Sequence, residues 1–253
     1  MKNKVTIIIP YYKKIKFIDK SIKSILSQTF KNYIIIIIYD DEDLSELQFI
    51  KKYKKKNKIK IIVNKTKNHG AGAARNLGLK FTKTKYVAFL DADDYWKKEK
   101  LKYQLNLMEK KNYEITHTNY FTVDERGKVY GSSKLKDNIS YNELIKRCDI
   151  GLSSVMLRRN ILKKKLFGHT KTKEDYKLWL DLAKQNKKFK LINKKLMYLR
   201  FTENSLSSSN LQKIFDGFKI YYVYQKFSFL KSLTFLIRLS MLSLVKKILY
   251  LAN

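Results

Sequence analysis

The sequence predicts an α/β fold, a Rossmann-like, mostly parallel sheet flanked by helices, with a C-terminal amphipathic helical extension. Three observations carry that prediction. Short β-branched runs alternate with amphipathic segments through the first 97 residues, the pattern of strands joined by right-handed helical crossovers. The runs are continuously apolar, as strands buried on both faces are. Acidic or turn residues follow several of them directly, at the strand ends where ligands of such sheets bind.

In order, Val5 to Pro10 (VTIIIP) reads as a buried strand ended by the single proline. Phe17 to Ser27 places Ile18, Ile22, Ile25 and Leu26 at helical spacing. Tyr33 to Tyr39 (YIIIIIY) is a second strand and runs straight into Asp40-Asp41. Leu44 to Tyr53 reads as a helix, Ile59 to Val63 as a third strand, Ala71 to Phe81 as a helix opened by a glycine-containing loop, and Tyr86 to Leu90 as a fourth strand ending at Asp91. Beyond Lys97 the pattern changes. A helix is expected over Leu101 to Met108 and a hairpin from Glu114 to Thr122 and Lys128 to Gly131. A further helix spans Tyr141 to Cys148, a strand Ser153 to Arg158 and a helix Asp175 to Gln185. The expected organisation is a first half over 1–97, a second half of the same domain over 98–207 and a basic helical tail over 208–253. In that tail Lys231, Arg238, Lys246 and Lys247 interrupt the apolar run 227–251. It reads as a basic amphipathic helix on a membrane surface, or as a helix packed on the body of the protein or on a second copy.

The chain has 253 residues, 44% of them hydrophobic, enough for a core and against global disorder. Net charge is +33, from 48 Lys, seven Arg and 22 acidic residues. Such a charge suits an anionic partner, but base and phosphate readout favours arginine, so lysine-covered solvated faces are the simpler reading and no nucleic-acid partner is expected. Cys148 is the single cysteine, which rules out an intramolecular disulfide framework. The opening MKNKVTIIIPYYKK does not read as a signal peptide, and no uninterrupted apolar stretch of 18 residues occurs. A cytoplasmic protein, peripheral at the inner face of the plasma membrane, is expected.

Four constellations carry chemistry. Asp91-Ala92-Asp93, with Asp94 next, packs three carboxylates into four residues after a buried strand. Ionising them together needs a cation, and hard divalent ions suit such oxygens; the alternative is an acidic turn capping the next helix. Asp40-Asp41 could accept a hydrogen bond from a base imide or a ribose hydroxyl, or form an ordinary Asx turn. The stretch Asn68 to Gly78 (NHGAGAARNLG) brings small residues and a helix N-terminus to an anion, with Arg75 in reach, or packs one helix closely on its neighbours. It lacks the GK[ST] ending of a phosphate loop. Glu174-Asp175 opens a helix, where carboxylates also simply complement the dipole. His69, His117 and His169 show no ligand spacing and read as exposed or packed.

Taken in order, VTIIIPYY, SIKSILSQTFKNY, YDD, AGAARNLGL, FLDADDYW, LSSVMLRR and KEDYKLWLDLA resemble family 2 glycosyltransferases of the GT-A fold over about residues 4–207. The resemblance implies transfer of a sugar from a nucleotide-diphosphate sugar, a UDP-sugar favoured, to a glycan or lipid-linked acceptor in surface-glycan synthesis. It implies that Pro10 and Tyr11 line the base and ribose site and that Asp40, with Asp41 beside it, contacts the base. Arg75 approaches the base or diphosphate, and Asp91 binds ribose with Ala92 alongside. Asp93 ligates Mn²⁺ or Mg²⁺, Asp175 is the general base with Glu174 beside it, and Ser153 and Ser154 border the acceptor pocket. Two departures stand out: Glu42-Asp43 replace the family's Gly-Ser after the paired aspartates, and Thr202 stands where a histidine is frequent. A catalytically silent sugar-nucleotide binder, a nucleotidyltransferase and a basic nucleic-acid-binding module are the competing classes. The phosphate loop expected of the second is absent from VTIIIPYYKK.

Overall fold

The computed structural model describes residues 4–55, 57–147, 149–162, 166–202 and 210–251, the side chains of 55, 210 and 243–251 excepted; Cys148, and the side chains of Lys246 and Lys247, lie outside that set. The first half runs β1 (Val5–Tyr11), α1 (Ile15–Leu26), β2 (Tyr33–Tyr39), α2 (Leu47–Lys51) with a 3₁₀ turn (Lys52–Lys55), β3 (Ile59–Val63), α3 (Ala71–Lys80) and β4 (Tyr86–Phe89). It continues through β5 (Tyr95–Trp96), α4 (Lys100–Lys110), β6 (Ile115–Val123), β7 (Val129–Ser132), α5 (Tyr141–Leu144), β8 (Met156–Arg158), α6 (Glu174–Lys184), β9 (Phe189–Arg200), α7 (Asn210–Lys219) and α8 (Phe229–Leu251). The strands form one sheet in the order β3-β2-β1-β4-β8-β6-β9-β5, with β7 added to β6. The ladders β1–β2, β1–β4, β2–β3 and β6–β9 are parallel and carry most of the paired residues; those of β8, β5 and β7 are antiparallel. The sheet runs unbroken across residue 97, because β4 pairs with β8.

Burial on both faces explains the unalternating strand sequences. Along β1, Ile8 joins a core with Ile36, Val87, Phe89, Ala74, Leu178 and Trp179 on one side. Val5, Ile7, Ile9 and Tyr11 join a second core with Ile18, Ile22, Ile35 and Leu101 on the other. Period-2 alternation is still there, but both phases are apolar because each face meets helices. Pro10 fits because of its position. Ile8 accepts from Leu90 on the β4 side, and the β1–β4 ladder stops at Ile8. The missing N–H of Pro10, two residues on and facing the same side, falls beyond that ladder.

Three segments depart from expectation. The helix read over Leu44–Tyr53 is α only at Leu47–Lys51. The helix read over Tyr141–Cys148 shortens to one turn, α5, held by a reciprocal capping box of Ser140 and Glu143. The strand read over Ser153–Arg158 begins as a 3₁₀ turn (Leu152–Ser154). The twelve-residue β9 has no counterpart in the sequence reading. Its register against β6 slips around Asn119, leaving Asn193, Lys194 and Lys195 exposed together and breaking the alternation that marks a strand.

The tail packs on the domain with one side and leaves another apolar side open. Leu236 and Leu239 enter the first core and Phe235 packs against it, while Leu230, Leu233, Ile237 and Met241 stand exposed with Lys231 and Arg238 beside them. Among the described residues no helix is long and apolar enough to cross a membrane.

Candidate active site

The acidic turns meet at the carboxyl end of the parallel strands, where β1 lies between β2 and β4. Asp40 follows β2, and its amide donates to the Tyr11 carbonyl at 2.8 Å. Its buried carboxylate accepts from Asn64 Nδ2 at 2.6 Å and from the Gly70 amide at 2.7 Å, with His69 Nδ1 at 3.2 Å. Burial raises the Asp40 pKa, and those three contacts oppose the rise. Gly70 sits at φ 102, a conformation that glycine adopts without steric cost, and that turn aims its N–H at Asp40. Asp41 accepts from the Asp43 amide at 3.1 Å, an Asx turn that closes the loop where a glycine was expected.

Asp91 and Glu174 are joined by one guanidinium. Arg75, on α3 and only 3% exposed, donates to Asp91 Oδ1 at 2.6 Å and to Glu174 Oε1. Burial works against its charge, but the two carboxylates prevail and raise its pKa. Close helix contact allows this bridge: a Cβ on Gly72 would stand 2.6 Å from the Gly168 carbonyl oxygen and 3.1 Å from Glu174 Cβ. Asp175, next to Glu174 in the first turn of α6, is half-buried, and its Oδ1 accepts from the Tyr176 amide at 2.7 Å. Its pKa is raised to about 7, chiefly by burial and then by the Glu174 charge.

Asp93 meets a different cation. Lys14, in the turn after β1, places Nζ 2.8 Å from Asp93 Oδ2 and donates to Thr202 Oγ1 at 3.0 Å. Burial raises the Asp93 pKa and Lys14 opposes it. Asp94 is buried and its pKa is also raised by burial, then by Asp93 and Asp91; its Oδ1 accepts from the Arg200 amide at 2.9 Å, and Arg200 Nε donates to the Asp93 carbonyl at 2.9 Å. Helix α4 begins only at Lys100, after Glu99. The acidic turn therefore does not cap the following helix.

Several residues expected to line the site are buried or paired within the protein. Tyr11 is fully buried, stacked on Tyr39 with ring centroids 5.4 Å apart and its hydroxyl on Glu46, whereas Pro10 is half-buried. Arg75 is occupied by two carboxylates of the protein itself. Ala92 is buried, and its carbonyl accepts from Ser21 at 2.8 Å. Ser153 and Ser154 are buried as well: Ser153 Oγ accepts from the Asp91 amide at 3.0 Å, and the Ser154 carbonyl accepts from Gln104 at 2.9 Å. These are serines of a tight turn beside Asp91. His69 joins the Asp40 cluster, which its lone spacing concealed. His117 is a packed core histidine, its pKa lowered to about 4 by burial. Lys14 was invisible in sequence, one lysine among 48.

Asp93 presents a hard oxygen donor, 17% exposed, of the kind Mn²⁺ and Mg²⁺ accept. Among the described residues no group of three or more His, Cys, Asp or Glu forms a metal cage. The donor set fits an ion that takes its remaining ligands from substrate phosphates and water, the usual Mg²⁺ mode.

Aspartates gather after β2 and β4, on either side of β1, at the carboxyl ends of parallel strands where α/β sheets of this kind bind their ligands. Residues 6–169 match the Glycosyl transferase family 2, and the chain belongs to that family. It is 33% identical over 212 residues to the UDP-Glc:alpha-D-GlcNAc-diphosphoundecaprenol beta-1,3-glucosyltransferase WfgD of Escherichia coli, covering 83% of this chain and 82% of that one. It is 28% identical over 229 residues to the putative teichuronic acid biosynthesis glycosyltransferase TuaG of Bacillus subtilis, covering 90% and 91%. An uncharacterized glycosyltransferase of Rickettsia conorii is 39% identical over 188 residues, 72% of this chain but 30% of the relative; the chain spans under a third of the rickettsial relatives it matches. The fold matches S. aureus TarS in complex with UDP-GlcNAc at TM-score 0.71 and 21% identity, over 87% and 65% of the two chains. It matches mannosyltransferase PcManGT from Pyrobaculum calidifontis, in complex with GDP-Man and Mn²⁺, at 0.67 and 10%, over 90% and 66%. The GT-A fold implied by the motifs is therefore the fold of this chain.

Proposed function

We propose that the protein is a glycosyltransferase moving a sugar from a nucleotide-diphosphate sugar to an acceptor hydroxyl in surface-glycan synthesis. One observation carries the reading: Arg75 bridges Asp91, at the carboxyl end of the sheet, to Glu174, which sets its neighbour Asp175, a carboxylate whose pKa burial pushes up to about 7, on the same side of the molecule. Residues 1–97 supply the donor side and 98–207 the acceptor side. Asp40 reads the base, Asp91 the ribose, and Arg75 keeps Asp91 and Glu174 in register instead of touching the diphosphate. A UDP-sugar is favoured, since WfgD is named for UDP-Glc and TarS was captured with UDP-GlcNAc.

Asp93 would hold Mn²⁺ or Mg²⁺, whose positive charge would offset that of the departing diphosphate. Asp175 takes the proton of the acceptor hydroxyl as its oxygen bonds to the anomeric carbon and the bond to the diphosphate oxygen breaks on the opposite face, inverting the centre. Burial suits Asp175 to this role, because a pKa near working pH balances a sufficient ionised fraction against basicity.

The open apolar side of α8 fits the surface of an anionic membrane, with Lys231 and Arg238 flanking it, and a lipid-linked acceptor at the inner face of the plasma membrane accords with the diphosphoundecaprenol in the name of WfgD. The silent-binder and nucleic-acid readings are not favoured by family membership. A thermal-shift panel of nucleotide sugars with and without Mn²⁺, followed by transfer and donor-hydrolysis assays, tests the proposal. Stabilisation by a donor with neither transfer nor hydrolysis would leave a binder and overturn it.

A further inference from the structure

Each carboxylate of the Asp91-Ala92-Asp93 turn has a resident cation, and the two are unequal. Arg75 is 3% exposed and locked by a second carboxylate, Glu174. Lys14 is 21% exposed, carries a compact charge on a flexible stem, and is held opposite Asp93 by Thr202 Oγ1, a neutral hydroxyl, at 3.0 Å. Asp93 Oδ2 is thus covered at 2.8 Å by an ammonium, whose charge competes with a divalent ion for the same carboxylate. Lys14 is also anchored by the backbone at the strand ends where the acidic turns lie. It is the N-cap residue of α1, three residues after Tyr11 at the carboxyl end of β1. The diphosphate, whose charge a single divalent ion does not cancel, offers a displaced ammonium there a strong new partner.

We propose that Lys14 is a donor-binding residue that covers Asp93 in the donor-free site and passes to the diphosphate when the divalent ion takes that carboxylate. The inference rests on the assignment of Asp93 as metal ligand and adds an exchange of cations to it. Thr202 then serves the exchange by orienting the lysine without adding a charge that would trap it.

The test separates the two halves of the exchange. Free Mn²⁺ is titrated by electron paramagnetic resonance against the wild type, Lys14→Met and Asp93→Ala, and UDP binding at saturating Mn²⁺ is measured by calorimetry. Removing a partly exposed competitor should tighten Mn²⁺ binding alone by about three- to tenfold and weaken UDP binding by a similar factor. Lys14→Gln should show the same two shifts, so a folding defect peculiar to methionine does not decide the matter. Unchanged or weaker Mn²⁺ binding in both Lys14 variants, or unchanged UDP binding, overturns the exchange. Mn²⁺ binding that survives in Asp93→Ala overturns the metal assignment itself, whereas its loss there with no shift in the Lys14 variants defeats only the exchange.

Discussion

Replacing Arg75 with methionine should unfold the protein far more readily than its place beside a substrate site would suggest. The guanidinium is 3% exposed and makes two charge-assisted hydrogen bonds, to Asp91 and Glu174, each worth about 1.5–3 kcal/mol. The Asp91 side chain is 33% exposed, so water screens that bond toward the low end. Glu174 is 10% exposed and would be left charged, enclosed and beside Asp175. Removing one member of such a cluster costs about 3–5 kcal/mol. At roughly 2–4 °C per kcal/mol for a domain of this size, the midpoint should fall by about 6–20 °C. Thermal unfolding followed by circular dichroism measures that shift, and urea unfolding with an unchanged m-value measures the free energy. Adding Glu174→Gln to the Arg75→Met variant should restore about 1–2 kcal/mol, because it removes the stranded charge. A loss below about 1 kcal/mol, or further destabilisation by the added Glu174→Gln, would show that the bridge is not what organises the site.

Four other outcomes are expected. As a base Asp175 must be ionised, so turnover should fall as pH drops through about 7, and Asp175→Asn should lose that limb along with about 10²–10⁴-fold of rate; a variant with wild-type turnover sends the search to another base. Its folded pKa lies above the unfolded value, so the native state loses stability as pH rises toward about 7, and Asp175→Asn should unfold at higher urea than wild type at about pH 8 but not at about pH 4. Gly72→Ala should lower both stability and turnover, since the added methyl meets the backbone carbonyl of Gly168 at 2.6 Å and Glu174 Cβ, at the start of α6, at 3.1 Å; a silent substitution would show that α3 can move freely away from α6 and the segment before it. Leu230→Ser with Ile237→Ser should reduce sedimentation with anionic vesicles and leave the melting temperature nearly unchanged, both residues being exposed. Equal sedimentation would remove the membrane reading.

The sequence alone determined the parallel half of the sheet and the carboxylates at its rim. Those features are local: a β-branched run buried on both faces has a composition of its own, and the residue after a strand is at its end by chain order alone. Strands Tyr33–Tyr39 and Ile59–Val63 match their expected bounds, and Asp40 and Asp91 stand where such reading puts them. Tertiary structure alone decided which partner each charged group has. Arg75 lies 99 residues from Glu174, and Lys14 lies 188 from Thr202, and neither pairing leaves a mark in spacing. Strand β9 hid behind exposed lysines, because a slipped register removes the alternation that identifies a strand. Burial likewise set the titration of Asp175, since desolvation depends on what surrounds a carboxylate and not on its neighbours in the chain.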